Sequence, residues 1–265
     1  MNYTVKDIIN TIIDSIPNGI RQNTVDTLKC GNPDMIVSGI ASTFTATVEV
    51  IKQAEILGDN LIITHEPTFF DHYDEVEKWL ENDSIVEKKK KLLIQKNIAV
   101  WRFHDNWHRN IPDGILTGIV KKLNWQNYQS LNDPRIFIRK EQYLRDLIEE
   151  LKTVFRMKTI RVIGNPDNKI KKIALILGAY GGQYQIKFIS EHPEIDAVVC
   201  GETVEWQTCE YIRDSASLGR KISLIILGHA LSEQEGMNYL VEWLKPKFAG
   251  LPIHYIEVPD LFSFF

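Results

Sequence analysis

The segment LIITHEPTFF at residues 61–70 limits the possible folds of this chain more than any other stretch. Its first four residues have the character of a buried strand, and they end abruptly at His65 and Glu66, after which Pro67 prevents the strand from continuing. A short apolar run with this ending predicts a strand of a parallel sheet. Open α/β sheets bind ligands just beyond the carboxyl ends of such strands. Two potential metal ligands are therefore expected where chemistry is most often found in this class of fold.

The rest of the chain alternates between predicted strands and predicted helices, which indicates an α/β fold with largely parallel or mixed sheets. Residues 20–34 are polar and predict a loop, and residues 71–83 predict an irregular excursion with a short helix near Trp79. Further strands are predicted at 35–40, 98–103, 134–138, 160–163, 173–177, 197–200, 222–227 and 253–258, and helices include 5–16, 45–57, 84–96, 113–123 and 141–155.

The composition of the 265 residues is that of a soluble globular protein, with 44% hydrophobic and 25% charged residues. This length suffices for one large domain or for two smaller ones with cores of their own. The net charge of −4 gives no electrostatic reason to expect a nucleic acid or an anionic membrane surface as a partner.

The cysteine pattern and the amino-terminal residues indicate the cellular compartment in which the protein is expected. Cys30, Cys200 and Cys209 form no C-x-x-C pair and are odd in number, which argues for a reducing compartment. The first ten residues lack the basic and apolar regions of a signal peptide, and no apolar run approaches the roughly 18 residues of a membrane span. We therefore expect a cytoplasmic protein that does not enter a membrane.

Two halves of the chain repeat one arrangement of strands and polar residues. In the first half a predicted helix and an apolar strand lead to His65, and in the second half the same succession leads to Glu202. The next predicted strand of each half is followed by a histidine, His104 in the first half and His229 in the second. Two matches in the same order predict a structural duplication into two similar α/β lobes that face a shared cleft.

A second polar residue follows each of these histidines at a distance of four positions. It is His108 after His104 and Glu233 after His229. Residues i and i+4 of a helix lie on one face, so each pair could bind one metal ion or bridge two. Any single histidine is more often a structural or surface residue, but four at strand ends are harder to attribute to chance.

The candidate donors number four imidazoles and two carboxylates, more than one ion needs and enough for two adjacent ions. A mixture of imidazole and carboxylate suits zinc, iron or manganese, and the absence of thiolates argues against a purely structural zinc site. The other histidines, at 72, 192 and 254, are interpreted as ordinary residues, because they lie in a polar loop, beside Pro193 and in a terminal strand. The predicted metal ligands are His65, Glu66, His104, His108, His229 and Glu233.

Four motifs give the chain a family resemblance: IITHEP at 62–67, FHDNWH at 103–108, GETVEW at 201–206 and GHALSE at 228–233. With these motifs the chain resembles the Nif3-like dinuclear metal-centre proteins, also labelled GTP cyclohydrolase I type 2 homologues, over nearly its full length. The family usually has two adjacent histidines where this chain has His65-Glu66, and an aspartate where this chain has His108. The two changes exchange a histidine and a carboxylate in opposite directions, so the inventory of donors is kept.

The resemblance implies a particular architecture. It implies two related lobes, one formed by residues 1–128 with 230–265 and the other by residues 129–229, with the metal cleft between them. It also implies a ring-shaped homohexamer whose sites face the interior. This chain lacks the additional domain that some family members insert between the lobes. The same two exchanges leave a second interpretation open, namely a divergent member that binds one ion or none.

A pair of divalent ions about 3.5–4 Å apart would polarise a phosphoryl or carbonyl oxygen, which favours hydrolysis. Glu202 is the candidate general base or the support of a histidine, although a carboxylate there could also serve only as a favourable charge at a helix N-terminus. The function expected first is a metal-dependent hydrolase that acts on a nucleotide or other small molecule. The alternative is a non-catalytic metal-binding or regulatory ring protein that recruits partners.

Overall fold

The computed structural model describes residues 2–17, 21–75 and 79–264. The chain divides into two compact units, Met1–Gly118 with Gln234–Pro259 and Ile119–Glu233 with Asp260–Phe265. The helices are α1 (Val5–Asp14), α2 (Val48–Leu57), α3 (Ser84–Gln95), α4 (Asp105–Arg109), α5 (Gly114–Leu123), α6 (Leu144–Val154), α7 (Gly182–Glu191), α8 (Glu210–Ser217) and α9 (His229–Leu244). The strands are β1 (Leu28–Cys30), β2 (Ile40–Thr43), β3 (Leu61–Thr64), β4 (Ala99–Arg102), β5 (Ile136–Tyr143), β6 (Arg161–Ile163), β7 (Lys169–Ile176), β8 (Ala197–Cys200), β9 (Ser223–Ile226) and β10 (Ile253–Tyr255).

The sheet of the first unit has five strands in the order β1-β4-β3-β2-β10. Strands β10, β2, β3 and β4 run parallel to one another, and β1 is antiparallel to β4. The register places Thr43, Thr64 and Arg102 side by side at the carboxyl ends of β2, β3 and β4. The segments that follow β3 and β4 therefore leave the sheet at the same edge.

The sheet of the second unit has the order β5-β7-β8-β9-β6. Its three central strands are parallel, and the two edge strands β5 and β6 are antiparallel to their neighbours. Ile176, Cys200 and Ile226 are aligned at the carboxyl ends of the central strands. Helix α7 closes the core on this sheet with Phe188 and Ile189, both of which are buried.

These two mixed sheets confirm the predicted α/β fold class with two similar lobes. Each unit contains three successive parallel strands joined by helices, β2-α2-β3-α3-β4 in the first and β7-α7-β8-α8-β9 in the second. Two helix boundaries follow the expected chemistry. Thr4 and Asp7 form a capping box at the start of α1, and Gly58 ends α2 in the left-handed conformation.

Two expectations for the first 45 residues are wrong. The predicted loop 20–34 contains strand β1, and the strand predicted at 35–40 lies instead at Ile40–Thr43. Residues before β2 bond to the start of α1, since the N–H of Val5 donates to the carbonyl of Met35 at 3.0 Å. The buried strand itself carries Ser42, whose hydroxyl donates to the Met237 carbonyl at 2.7 Å and so can be buried.

The helix predicted near Trp79 falls partly on residues 76–78, which lie outside the described ranges; residues 79–82 form turns and bends. Within the described ranges, no helix combines the length and the hydropathy that crossing a bilayer requires.

Candidate metal centre

His65 follows β3 directly and is fully buried. Its backbone N–H donates to the carbonyls of Thr43 and Phe44 at 3.2 and 3.1 Å, which holds the residue against the end of β2. Its ring Nδ1 lies 3.4 Å from the carbonyl of Phe103, which can only accept a hydrogen bond. An Nδ1–H that donates to this carbonyl leaves the lone pair on Nε2, the form in which a histidine binds a metal.

His104 and His108 stand at the two ends of the short helix α4, which begins where β4 ends. The buried carboxylate of Asp26 holds the start of this helix. Its Oδ1 accepts the N–H groups of His104 at 2.7 Å and of Asp105 at 2.9 Å. Its Oδ2 accepts the backbone N–H and the side-chain amide of Asn106 at 2.9 and 2.7 Å. One carboxylate thus satisfies the N-terminal donors of the helix that carries both histidines.

The three imidazoles form one cluster, which we call the histidine cluster: His65, His104 and His108. Their ring centroids are 4.4 Å apart for His65 and His104, 5.0 Å for His65 and His108, and 5.1 Å for His104 and His108. One ring nitrogen of each lies within 4.8 Å of one nitrogen of the others. Two nitrogen ligands of one tetrahedral zinc ion are about 3.3 Å apart, so each pair in the cluster would need to approach by about 1.5 Å at most to share one ion.

Each imidazole of the cluster has an acceptor at Nδ1. The carboxylate of Asp105 lies 3.1 Å from Nδ1 of His104, and that of Asp113 lies 3.1 Å from Nδ1 of His108. With the Phe103 carbonyl at His65, all three rings show the arrangement in which a metal-binding histidine donates its other ring N–H to an acceptor. The residues present therefore fit a metal ion.

The charge state of His104 also suits metal binding. Burial, and secondarily the neighbouring His65 and His108, lower the pKa of His104 to about 3. Its imidazole is therefore neutral at physiological pH, and only a neutral imidazole can donate its lone pair to a metal.

Glu66 joins this cluster through a buried cation. Its Oε1 lies 3.6 Å from Nε2 of His104, and its Oε2 lies 3.3 Å from Nη2 of Arg102. Arg102 is fully buried and also donates from Nε to the carbonyl of His65 at 2.9 Å and from Nη1 to the carbonyl of His72. Sequence reasoning missed this arginine, although a charged residue in the apolar run AVWR was a signal. It holds Glu66 and the backbone of His65 in one place.

The second unit carries the other predicted donors, which we call the His229 group: Glu202, His229 and Glu233. Nδ1 of His229 lies 3.0 Å from Oε1 of Glu202, and its Nε2 lies 3.0 Å from Oε2 of Glu233. His229 and Glu233 are on the first turns of α9, as their spacing predicted. A ring nitrogen and a carboxylate oxygen at this distance could bind one ion together, with Glu202 holding the opposite side of the ring.

A glycine leaves space for the His229 group, and a serine holds its backbone in place. A Cβ on Gly178 would lie 2.2 Å from Oε1 of Glu233 and would displace this carboxylate, and the φ of +69° at this position also favours glycine. The hydroxyl of Ser232 accepts the N–H of Gly178 at 2.9 Å and donates to the carbonyl of His229 at 2.8 Å. These contacts hold the start of α9 against the loop that follows β7.

The position of Glu202 depends on Gln185, which sequence reasoning missed. Gln185 is fully buried on α7, and its amide nitrogen donates to the carbonyl of Glu202 at 2.8 Å. Its amide oxygen accepts the hydroxyls of Thr203 and Thr208 at 3.1 and 2.8 Å. Thr208 lies in a π-helix, Glu205–Cys209, a form frequently found beside functional sites. No sequence signal distinguished this glutamine from a surface residue.

The structure therefore brings His65, Glu66, His104 and His108 together in the first unit, and Glu202, His229 and Glu233 together in the second. Their roles as ligands and as a base stay predictions. Of the three histidines not assigned to the site, His192 lies beside Glu194 and His254 beside Asp59. The ring of His72 lies 4.8 Å from that of Tyr73 and 6.5 Å from that of His104, next to the histidine cluster.

Comparison with known proteins gives consistent matches. The family model for Duf34/NIF3 (NGG1p interacting factor 3) matches residues 3–260. The chain is 26% identical over 243 residues to a GTP cyclohydrolase 1 type 2 homolog of Clostridium acetobutylicum, covering 86% of this chain and 85% of the relative. It is 24% identical over 276 residues to the protein of the same name from Clostridium perfringens, covering 95% and 99%.

Solved structures with the same fold include a Bacillus cereus protein related to NIF3, with a TM-score of 0.77 at 17% identity over 100% of this chain and 99% of that one. The Staphylococcus aureus hypothetical protein SA1388 also has a TM-score of 0.77, at 18% identity over 99% of both chains. Reduced HcgD from Methanocaldococcus jannaschii has a TM-score of 0.67 at 22% identity, over 96% of this chain and 98% of that one. At these identities the likeness concerns the fold alone.

Proposed function

The chain belongs to the Duf34/NIF3 family, and from this membership and its donor geometry we propose that it is a metal-dependent hydrolase acting on a nucleotide or other small molecule. The observation that carries the proposal is the histidine cluster. Three imidazoles share one small volume, and each has an acceptor at Nδ1. Structural histidines need no such matched orientation, whereas metal ligands do.

The proposed ligands are the six donors predicted from the sequence. The proposal assigns about two divalent ions to each chain, zinc, iron or manganese, because imidazole and carboxylate donors suit these metals. When bound, such ions would supply Lewis-acid polarisation of a phosphoryl or carbonyl oxygen. The ligands are His65, Glu66, His104 and His108 in the first unit and His229 and Glu233 in the second.

The chain's own residues prepare these donors. Asp105 and Asp113 accept hydrogen bonds from the protonated Nδ1 of His104 and His108, respectively, and so fix the orientations of the two rings. Glu202 does the same for His229, and this contact supports a positioning role in preference to that of a general base. Arg102 balances the charge of Glu66, so a carboxylate can lie beside three histidines in a largely buried place.

The test is metal analysis combined with turnover. Protein stripped with a chelator is reloaded with zinc, iron or manganese and assayed on a panel of phosphoesters and purine nucleotides. We expect about two ions per chain and hydrolysis of at least one substrate class. His104→Ala and His229→Ala should each lose bound metal and activity, whereas His192→Ala, outside both donor groups, should keep them. Activity that is unchanged in both donor variants would refute the proposal.

A second candidate function rests on exposed apolar side chains. Trp206 is 75% exposed, and Leu261 and Phe262 near the carboxyl end are 81% and 72% exposed. A contiguous exposed apolar patch often marks a surface that binds another protein, and these side chains would contribute to such a patch. The alternative is therefore a non-catalytic metal-binding protein that recruits partners. It predicts stoichiometric metal with no turnover across the panel, and a stable complex with another protein that Trp206→Ser abolishes.

A further inference from the structure

The second unit contains a groove of about 580 Å³ that shares no residue with the histidine cluster or the His229 group. It lies along the edge strand β5 and the start of α6. We call it the β5 groove. Its lining includes Tyr128, Arg139, Lys140, Gln142, Tyr143 and Lys169, together with the carboxylates of Glu141 and Asp146.

A bulge in β5 produces this groove. Ile138 is paired with Lys172 and Gln142 with Ile170, so three residues of β5 lie opposite the single residue Lys171 of β7. Extra residues of this kind bend the strand and turn side chains away from the directions of a regular sheet. The bulge contains Arg139 and Lys140, which are thereby placed in the wall of the groove.

Arg139 forms a rigid wall. Its guanidinium carbon lies 4.6 Å from the ring centroid of Trp125 and 5.4 Å from that of Tyr128. Its Nη1 donates to both oxygens of Glu150 at 2.9 and 2.7 Å, and Nε1 of Trp125 donates to the same carboxylate at 2.9 Å. The charge of Arg139 is thus balanced inside the protein, and its side chain is held between aromatic rings.

The side-chain amide of Gln142 is the observation that points to a ligand. Its Nε2 is buried, and it has no hydrogen-bond partner among the described residues. Buried donors are nearly always paired, because losing water without a replacement is costly. A bulge with charged side chains would by itself protect the free edge of β5 from pairing with another sheet. Protection of the strand edge does not require a buried amide donor. A bound ligand with an acceptor group would explain why Gln142 has one.

The remaining groups indicate the kind of ligand. Glu141 is paired with Lys169 at 2.9 Å, and Asp146 accepts the N–H of Tyr143 at 3.3 Å at the start of α6. Among the described residues that line the groove, this leaves Lys140 as the cation for which no carboxylate partner is found. One face of Tyr128 lies against Arg139 and one face of Tyr143 lies against Arg145, and the two residues remain 41% and 39% exposed beside these donors.

We propose that the β5 groove is a second ligand site, separate from the metal centre, that takes a small planar aromatic carboxylate. The carboxylate accepts from Nε2 of Gln142 and from Nζ of Lys140, and the ring lies against Tyr128 and Tyr143. One uncommitted cation matches a single negative charge better than a phosphate dianion. An aromatic ring of the ligand is attracted to the tyrosine rings more strongly than a saturated ring would be.

The test uses 4-fluorobenzoate as the probe and ¹⁹F NMR as the measurement. The titration is done on whole protein in the presence of EDTA, so that metal binding of the probe does not contribute. We expect saturable binding that weakens at least tenfold in Gln142→Leu and in Lys140→Gln. Lys158→Gln, an exposed lysine outside the groove, is the matched control and should bind like the wild type.

Ligand controls separate the ring from the charge. Cyclohexanecarboxylate keeps the charge and loses the planar ring, and 4-fluorobenzyl alcohol keeps the ring and loses the charge; both should bind at least fivefold more weakly. Gln142→Leu should unfold at the same temperature or higher, since it removes a buried donor without a partner. Wild-type affinity for 4-fluorobenzoate in both groove variants, or control ligands that bind as tightly as 4-fluorobenzoate, would overturn the proposal.

Discussion

Four N–H groups converge on the carboxylate of Asp26, three from the backbone of residues 104–106 and one from the Asn106 side chain. Asp26 is only 6% exposed. A hydrogen bond to a charged acceptor contributes about 1.5–3 kcal/mol, and donors left unpaired in a buried place each cost a similar amount. The position of the histidine cluster therefore depends on a residue nearly 80 positions away in the sequence.

Asp26→Asn tests this dependence at the residue scale. The amide keeps one acceptor oxygen and places an NH₂ group against N–H donors. We expect the free energy of unfolding to fall by about 2–4 kcal/mol. Metal affinity should fall as well, because His104 and His108 lose their fixed positions. Denaturation in urea and metal titration measure the two effects, and Asp34→Asn at an exposed position is the control. Wild-type stability and affinity in Asp26→Asn would contradict this account.

At the scale of elements, three cations with little exposure hold the segment that follows β3. Arg102 bonds to the carbonyl of His65, Nζ of Lys89 donates to the carbonyl of Thr68 at 2.5 Å, and Lys29 lies 3.5 Å from Asp74. Asp74 in turn accepts the N–H of Phe69 at 2.7 Å. Irregular backbone near a buried site has carbonyls that no sheet or helix satisfies, and these cations satisfy them. Glu66 is thereby held beside the histidine cluster.

Lys89 gives a pH-dependent prediction. Burial lowers its pKa from 10.5 to about 8, so the folded state releases this proton at a lower pH than the unfolded state. Between these values the unfolded state binds more protons, and the Lys89 contribution to stability therefore rises with pH, by up to about 3 kcal/mol in total. The destabilisation that comes from burying the charged Lys89 side chain is fully present below pH 8 and disappears toward pH 10.5.

The measurement compares denaturation of the wild type and Lys89→Met from pH 7 to pH 10.5. The methionine does not titrate, so the stability of the wild type relative to the variant should increase over this range. Lys88→Met, at an exposed position of the same helix, should show no such trend. A difference between wild type and Lys89→Met that does not change with pH would show that Lys89 titrates normally.

Helices α5 and α9 meet through glycines. A Cβ on Gly118 would lie 2.2 Å from the carbonyl oxygen of Glu235 and 2.5 Å from the Cα of Gly236. These are backbone atoms, so the neighbour cannot move aside by changing a rotamer. The close approach places α9 against α5 in the first unit.

Gly118→Ala should therefore destabilise the protein although alanine favours a helix by about 1 kcal/mol relative to glycine. We expect a net loss of about 1–3 kcal/mol from the enforced separation of the helices. Lys122→Ala, exposed on the same helix, should be neutral or slightly stabilising. Thermal and urea denaturation give the comparison, and a more stable Gly118→Ala would mean that the two helices can separate freely.

At the scale of the whole molecule, the donors follow the second and third of three successive parallel strands in each unit. His65 and His104 follow β3 and β4, and Glu202 and His229 follow β8 and β9. This equivalence is what the repeat in the sequence predicted, and the α/β fold class is confirmed. The lobe boundaries predicted from the sequence stay a prediction.

Metal removal should change global stability. A ligand that binds only the folded state stabilises it by about 2.7 kcal/mol when its free concentration is 100 times Kd. Zinc or manganese added to chelator-treated protein should therefore raise the melting temperature. The increase should be lost in His104→Ala and kept in His192→Ala. An equal increase in both variants would indicate that the metal binds elsewhere.

The oligomeric state is a prediction from the family resemblance. We expect a homohexamer, with a mass in solution six times that of one chain. Analytical ultracentrifugation over a range of protein concentrations measures this directly. A monomer at micromolar concentration would remove the ring from the proposed function, and it would leave the histidine cluster of the single chain in place.

The candidate metal ligands could be predicted from the sequence, and the residues that hydrogen-bond to them and hold them in place could not. Strand β3 is found at the predicted Leu61–Thr64. His229 and Glu233 both lie on α9 as their spacing predicted, whereas His108 lies on α4 and His104 directly precedes that helix. Strand β2 was displaced in the prediction because its buried residues include Ser42 and Thr43, whose polarity hides the strand.

What the sequence by itself determined is local: apolar runs, residues that end them, and polar side chains at fixed spacing along a helix. These depend on neighbours within a few positions, and so they can be read in one dimension. Only the tertiary structure decided which side chains hydrogen-bond to the residues of the candidate metal centre. Asp26, Arg102 and Gln185 act on residues between 17 and 80 positions away, because a hydrogen bond depends on distance and angle in space and leaves no period in the sequence.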